Sequence, residues 1–191
     1  MGGFSERDAS ESELVAQAAA GDKSAFGRLV ERYQRFAINI AYRMTGQPQL
    51  AEDLAQEAFL KAWLNLTRFR GESQFRTWLG RIVTNVTIDY LRRRSGESEL
   101  SDGLPAGGMS PATHALRNEL QERVRQAVLA LPAQSRAALI LREYEGLSYK
   151  EIAMVLDVPV GTVMSRLNYA RGRLRETLEP EWSPADTMVE A

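Results

Sequence analysis

The sequence contains no cysteine and a single histidine, His114. The first absence excludes disulfides, a thiolate metal site and a cysteine nucleophile. A lone histidine without partners makes neither a metal centre nor a catalytic group. A large net charge is also missing: 24 basic residues stand against 25 acidic ones, for −1 at neutral pH, so the chain as a whole is not a nonspecific polycation. No apolar leader opens the sequence, and no apolar run approaches the ~20 residues of a membrane span. The expectation is a cytoplasmic protein without membrane insertion, without a metal or other cofactor, and not an enzyme.

What the chain does contain is charge segregated along its length. From Arg68 to Arg94 there are seven arginines against Glu72 and Asp89, a net of +5, while the termini and the middle are acidic. Gly161 to Arg175 holds four arginines and no acid. This second stretch closes the segment around which the chain is organised, Gly146 to Arg175. Ser148 followed by Glu151 is a capping box, so a helix is predicted from Ser148 to about Leu156. Ile152, Val155 and Leu156 share its apolar face. Asp157-Val-Pro159 stops it, because proline cannot continue a helix. A second helix is predicted to begin near Gly161-Thr162, and two short helices across a tight turn form a helix-turn-helix.

At roughly 100° per residue, Val163, Leu167, Ala170 and Leu174 line one stripe of that second helix. Ser165, Asn168, Tyr169 and Gly172 lie opposite, flanked by Arg166 and Arg173 on one side and by Arg171 and Arg175 on the other. Short hydrogen-bonding side chains at the centre reach base edges and long cations at the margins reach phosphates, which points to duplex DNA. A plain solvated basic helix is the bland alternative.

The rest of the chain reads as helix. Ser12 with Glu13 begins a short helix through Ala20, and Asp22 caps a long one from Lys23 to Met44 with a core stripe from Phe26 to Ala41. After the turn Gly46-Gln-Pro48, a helix from Leu50 to Trp63 carries Asp53, Gln56, Glu57 and Lys61 on its polar side, with Phe59 and Leu60 near the edge of its apolar stripe. Pattern alone makes the polar side a solvated face, and Asp53 with Glu57 is too sparse for a metal site. Thr67 to Ser73 is a loop with Ser73 expected to cap the next helix, Gln74 to Arg94. That helix mixes apolar residues with Arg76, Arg81, Thr84, Asn85 and Asp89, and ends on Arg92-Arg-Arg94, a triplet that also suits a helix C-terminus. Its aromatics, with Phe69, Phe75, Trp78 and Tyr90 among arginines, read equally as core or as a platform for stacking single-stranded bases. Ser95 to Thr113, rich in Ser, Gly, Pro and acid, is a linker between two domains. Beyond it Leu116, Leu120, Val124, Val128 and Leu131 stripe a helix closed by Pro132. A further helix from Ala133 to Tyr144 ends at Gly146.

Two helical units, one joining aromatics to arginines and one a helix-turn-helix, resemble the extracytoplasmic-function (ECF) group of bacterial sigma factors, in the sigma-70 family. The resemblance runs from Asp22 to Leu178. It rests on Asp53-Leu-Ala-Gln-Glu-Ala-Phe59, Phe69-Arg-Gly-Glu-Ser73, Phe75-Arg-Thr-Trp-Leu79 through Asn85, and Pro159-Val-Gly-Thr-Val163 with Ser165-Arg166. It implies an all-α fold of two small domains across a flexible linker. The divisions would be an N-terminal segment 1–21, a region 2 domain 22–94, a linker 95–113, a region 4 domain 114–178 and an acidic tail 179–191.

The resemblance also implies the partners: bacterial core RNA polymerase, promoter DNA and an anti-sigma protein. Asp53, Gln56, Glu57 and Phe59 would face the polymerase clamp helices. Arg76, Trp78, Arg81, Asn85, Asp89, Arg92 and Arg93 would open and hold the minus-ten region, with Asn85 at the pocket for an extruded non-template base. Thr162, Met164, Ser165, Arg166, Asn168, Tyr169, Arg171 and Arg173 would read the minus-thirty-five element. Met164 and Asn168-Tyr169 depart from the more basic residues usual there. A LuxR-like regulator would leave residues 22–94 unexplained. A resolvase or transposase fragment would need a carboxylate cluster or serine nucleophile that Asp53 and Glu57 do not supply.

Overall fold

The computed structural model describes residues 10–97 and 113–178, with side chains for 10–94 and 119–178. Eight α-helices occur among them: α1 Glu11–Ala19, α2 Lys23–Thr45, α3 Pro48–Asn65, α4 Phe75–Glu97, α5 Thr113–Leu129, α6 Ala133–Glu143, α7 Tyr149–Leu156 and α8 Val160–Leu178. A 3-10 turn, Leu66–Arg68, follows α3. The all-α class, with a helix-turn-helix in the second unit, is as the sequence implies. The expected linker and acidic tail lie outside the described residues, apart from residues 95–97 at the end of α4 and Thr113 at the start of α5.

Local signals set the helix ends. Asp22 accepts from the amides of Ser24 and Ala25 at 2.8 and 3.2 Å, as expected of an N-cap. The cap of α1 is Ser10 rather than Ser12, with Glu13 completing the capping box. Ser73 does not cap α4: its hydroxyl donates to the Gln74 carbonyl. The Phe75 amide instead donates to Glu11 Oε1 at 3.2 Å, so a carboxylate 64 residues away serves the start of α4.

The same Glu11 accepts from the Tyr33 hydroxyl. Burial, then the hydrogen bond to Glu11 and its charge, push the Tyr33 phenol from 10.0 up to about 12. A folded pKa above the unfolded one means that stability is held below about pH 10 and lost as pH rises toward 12. The urea midpoint should therefore fall over that interval, and Tyr33→Phe should flatten the fall. An equal slope in both chains would show that Tyr33 is not the group responsible.

In the first unit α2 packs against α1, α3 and α4. In the second, α6, α7 and α8 enclose the helix-turn-helix core, with α5 against α8. These are not separate cores. Residues from Leu14 to Val86 and from Val128 to Ala170 form one continuous buried cluster, and α4 packs along α7 while α2 meets α5 and α6. Gly46 shows how close the units come. It ends α2 at φ 72°, and a Cβ there would lie 2.7 Å from Leu129 Cδ1 of α5. Both the left-handed backbone and the approach of α5 demand glycine. Arg125 donates to the Gly46 carbonyl at 3.1 Å, and the half-buried Arg136 donates to the carbonyls of Met44, Leu129 and Leu131.

The expected apolar stripe of α5 is only partly core. Val128 and Leu131 are buried, Leu120 is exposed, and the side chain of Leu116 lies outside the described residues.

Candidate nucleic-acid and polymerase interfaces

In the helix-turn-helix, Ser148 Oγ accepts from the Glu151 amide while the Glu151 carboxylate accepts from Ser148, the amide at 2.8 Å and the hydroxyl at 2.6 Å. These bonds hold Glu151 below its ordinary carboxylate range. Asp157 ends α7 in the left-handed region at φ 54°, which a short polar side chain tolerates. Ile152 and Val155 of α7 are fully buried, as are Val163, Leu167 and Ala170 of α8.

That packing turns Met164, Ser165, Asn168 and Tyr169 outward, with Thr162 and Arg166 half-buried. The Ser165 hydroxyl donates to the Thr162 carbonyl at 2.9 Å. With its proton committed, it meets a base edge only as an acceptor. Asn168 keeps donor and acceptor on one exposed amide. Arg171 pairs with Glu143 and Arg173 with Glu176, both at 2.7 Å. Exposed pairs of this kind are worth about 0–1 kcal/mol, so phosphate can replace the acid. Arg166 is not a simple marginal cation, because its Nη1 is buried without a hydrogen-bond partner.

On α4 the aromatic question divides. Phe75 is core at 1% exposure. Phe69 and Trp78 are half-buried, with centroids 5.2 Å apart. They line a cavity of about 380 Å³ together with Arg68, Arg70, Glu72, Ser73, Arg81 and Met154. Arg81 and Asn85, one turn apart, are exposed, though Asn85 is not part of the cavity wall. Asp89 pairs with Arg92 at 3.0 Å, and Arg93 is exposed. Arg76 faces the second unit. Its Nη2 donates to the Glu145 carbonyl at 2.8 Å and to Glu145 Oε2 at 3.2 Å, and its guanidinium lies over the Phe36 ring. Burial raises the Glu145 carboxyl despite Arg76 and Arg43 nearby. Of the wall cations given no site role from the sequence, Arg68 lies outside the family motifs and Arg70 lies within one of them. Their place in the arginine-rich stretch is the signal that could have found them.

On α3, Asp53, Gln56 and Glu57 are exposed, the last paired with Lys61 at 2.7 Å. Phe59 does not share that face. It is 7% exposed and packs edge-on against Phe26. Two residues on from Glu57, it turns off the polar strip and carries its ring into the α2–α3 contact. The exposed apolar residues beside the strip are Leu60, expected near the edge of the buried stripe, and Leu64, which periodicity does not single out. Phe59 instead forms part of the floor of an open apolar groove of about 280 Å³ with Lys23, Phe26, Gln56, Leu60 and Trp63.

Among the described residues no group of three or more His, Asp or Glu is placed to hold a metal ion, and no helix is long and apolar enough to cross a membrane.

An aromatic–arginine helix in one unit and a helix-turn-helix with an exposed polar face in the other define a class of transcription proteins, and comparison with known proteins gives the family. Sigma-70 region 2 matches residues 29–97, and Sigma-70, region 4 matches residues 121–174. The chain is 41% identical to the RNA polymerase sigma-H factor of Pseudomonas aeruginosa, over 88% of this chain and 93% of that one. It is 36% identical to the ECF RNA polymerase sigma factor SigW of Bacillus subtilis, over 86% and 94%. Among solved structures, CnrH in complex with the cytosolic domain of CnrY aligns with TM-score 0.68 and 32% identity, covering 90% of this chain and 98% of that one. The sigma factor RpoE of Bartonella quintana, in complex with the anti-sigma factor NepR, aligns with TM-score 0.66 and 27% identity over 82% and 98%. The chain belongs to the ECF group of the sigma-70 family, the sigma factors that direct RNA polymerase to promoters.

Proposed function

We propose that the three surfaces described above divide the work of an alternative sigma factor. The α3 strip of Asp53, Gln56 and Glu57, extended by Leu60 and the apolar groove, docks core RNA polymerase. The α4 surface, within a region 2 unit spanning 22–94, takes the melted minus-ten strand. Phe69 and Trp78 offer stacking faces, and Arg68, Arg70 and Arg81 offer phosphate contacts. Asn85 reads an extruded base at the edge of that surface. The outward side of α8, within a region 4 unit spanning 114–178, reads the minus-thirty-five duplex through Asn168 and Tyr169, held in register by Arg171 and Arg173. The protein acts in the cytoplasm by binding rather than by catalysis, and an anti-sigma partner holds it in check.

The observation that carries this reading is the separation of chemistry on one chain: an acidic and apolar face, an aromatic–cationic cavity and a polar strip with a buried back. Asp53→Ala and Gln56→Ala test the first assignment, since exposed polar replacements shift stability by only about 0.5 kcal/mol. Each should lower affinity for core polymerase with an unchanged melting temperature. Undiminished polymerase binding by the double variant would return α3 to a plain solvated face.

A further inference from the structure

We propose that Glu11 is a positioning residue for the single-strand surface of α4. It reaches from α1 to fix the first turn of α4 and, through two aromatic rings, the wall of the cavity that would stack a base. The inference rests on the reading of α4 as that surface.

α1 precedes residues 29–97, the stretch that matches Sigma-70 region 2. Leu14 and Ala18 are its buried side, and the Ser10–Glu13 capping box fixes its first turn. That box sets Glu11 at the first position of the helix, where the side chain is half-buried. One carboxylate oxygen, Oε1, accepts from the Phe75 amide at 3.2 Å, and the other accepts from the Tyr33 hydroxyl. The Ser73 hydroxyl is turned to the Gln74 carbonyl, which leaves the Phe75 amide to Glu11. A carboxylate also suits the positive end of a helix.

The two residues that Glu11 holds are the backing of the cavity. The Tyr33 and Phe75 rings lie 5.4 Å apart, and Phe75 lies 6.1 Å from Phe69 and 5.7 Å from Trp78, centroid to centroid. Phe69 and Trp78 in turn line the cavity with Arg68, Arg70 and Arg81. α1 also packs on the 3-10 turn Leu66–Arg68. One helix therefore touches the chain just before the loop 69–74, while its Glu11 grips the chain just after it. Ring faces held in place before a base arrives need no ordering on binding, so what fixes the loop raises affinity.

Two substitutions separate reach from charge. Glu11→Gln keeps the side-chain length and an oxygen that accepts from Phe75, and its amide can donate to Tyr33. Glu11→Asp keeps the charge but is one methylene shorter and cannot meet both groups. Binding of a fluorescein-labelled oligothymidine of about sixteen nucleotides by the full chain is followed by anisotropy, with a labelled duplex as control. The Asp chain should bind oligothymidine about fivefold to tenfold more weakly, and the Gln chain within about twofold of the unsubstituted one, as for a helix cap lost and a cap retained. Duplex affinity, carried by α8, should not change in either. Equal single-strand affinity in all three chains would overturn the positioning role, and so would a Gln chain as weak as the Asp chain. A parallel loss of duplex affinity in the Asp chain would reveal general loosening of the fold and overturn it as well. Tyr33→Phe removes one of the two bonds alone and serves if the Asp chain folds poorly. It should weaken oligothymidine binding in the same sense, and an unchanged affinity would count against the proposal. Phe69→Ala and Trp78→Ala report on the reading beneath: if neither weakens oligothymidine binding, the α4 assignment falls and the proposal with it.

Discussion

Phe75→Ala should cost about 3–5 kcal/mol of folding stability, the usual toll of a buried aromatic ring. Phe75 is 1% exposed and lies within 5.4, 6.1 and 5.7 Å, centroid to centroid, of Tyr33, Phe69 and Trp78. Deletion of the ring opens a void where the first turn of α4 meets α2 and the loop after α3. The backbone there is pinned by Glu11 and cannot collapse freely to fill it. Domains of this size hold about 5–15 kcal/mol in total, so the loss would be visible directly in urea denaturation followed by circular dichroism. Phe69→Ala, at a half-buried position on the cavity wall, should cost less stability and more single-strand affinity. A loss of under about 1 kcal/mol for Phe75→Ala would contradict its place at the centre of the aromatic cluster.

The second large effect concerns reading rather than folding. Asn168→Ala should lose about 1–3 kcal/mol at one upstream base pair and relax preference there, because the exposed amide can both donate to and accept from an adenine edge. Arg173→Ala should weaken all promoters alike and lower the salt dependence, since its partner on DNA is a phosphate and its partner without DNA is the exposed Glu176. Ser165→Ala should fall between them, as its proton is already committed to Thr162. Holoenzyme binding to duplex promoters varied one base pair at a time separates the three. A uniform loss for Asn168→Ala, or a base-specific one for Arg173→Ala, would mean that the two roles have been exchanged.

Short-range chemistry is legible in the amino-acid sequence. Asp22, the Ser148–Glu151 box, the stop at Pro132 and the left-handed Gly146 are signals that act within four residues, so a short stretch of chain contains both partners. Periodicity identifies Val163, Leu167 and Ala170 as the buried back of α8, and with them the outward strip that carries Asn168. It is too coarse at the edge of a stripe: of Phe59 and Leu60, both expected there, Phe59 falls into the core and Leu60 comes out into solvent. The same limit applies to the aromatics near α4. Their composition suits a core and a stacking surface equally, and only packing puts Phe75 inside and Trp78 at the rim.

What only the tertiary structure decided is every pairing across long stretches of chain. Glu11 serves α4 across 64 residues, Arg76 finds Glu145 across 69, and Arg81 finds Asp157 across 76. Each of these charges looks solvated in sequence, because its partner is selected by how two helical units dock and no local spacing encodes that. The docking turns on small features: a glycine at 80 that lets α7 lie on α4, and a glycine at 46 that lets α5 reach the end of α2. The sequence by itself determined which helices form and, for the most part, which faces they bury. Whether the surface of α4 and the outward side of α8 stand open or covered was decided by packing, since the free energy of one helix lying on another depends on the shapes of both surfaces at once.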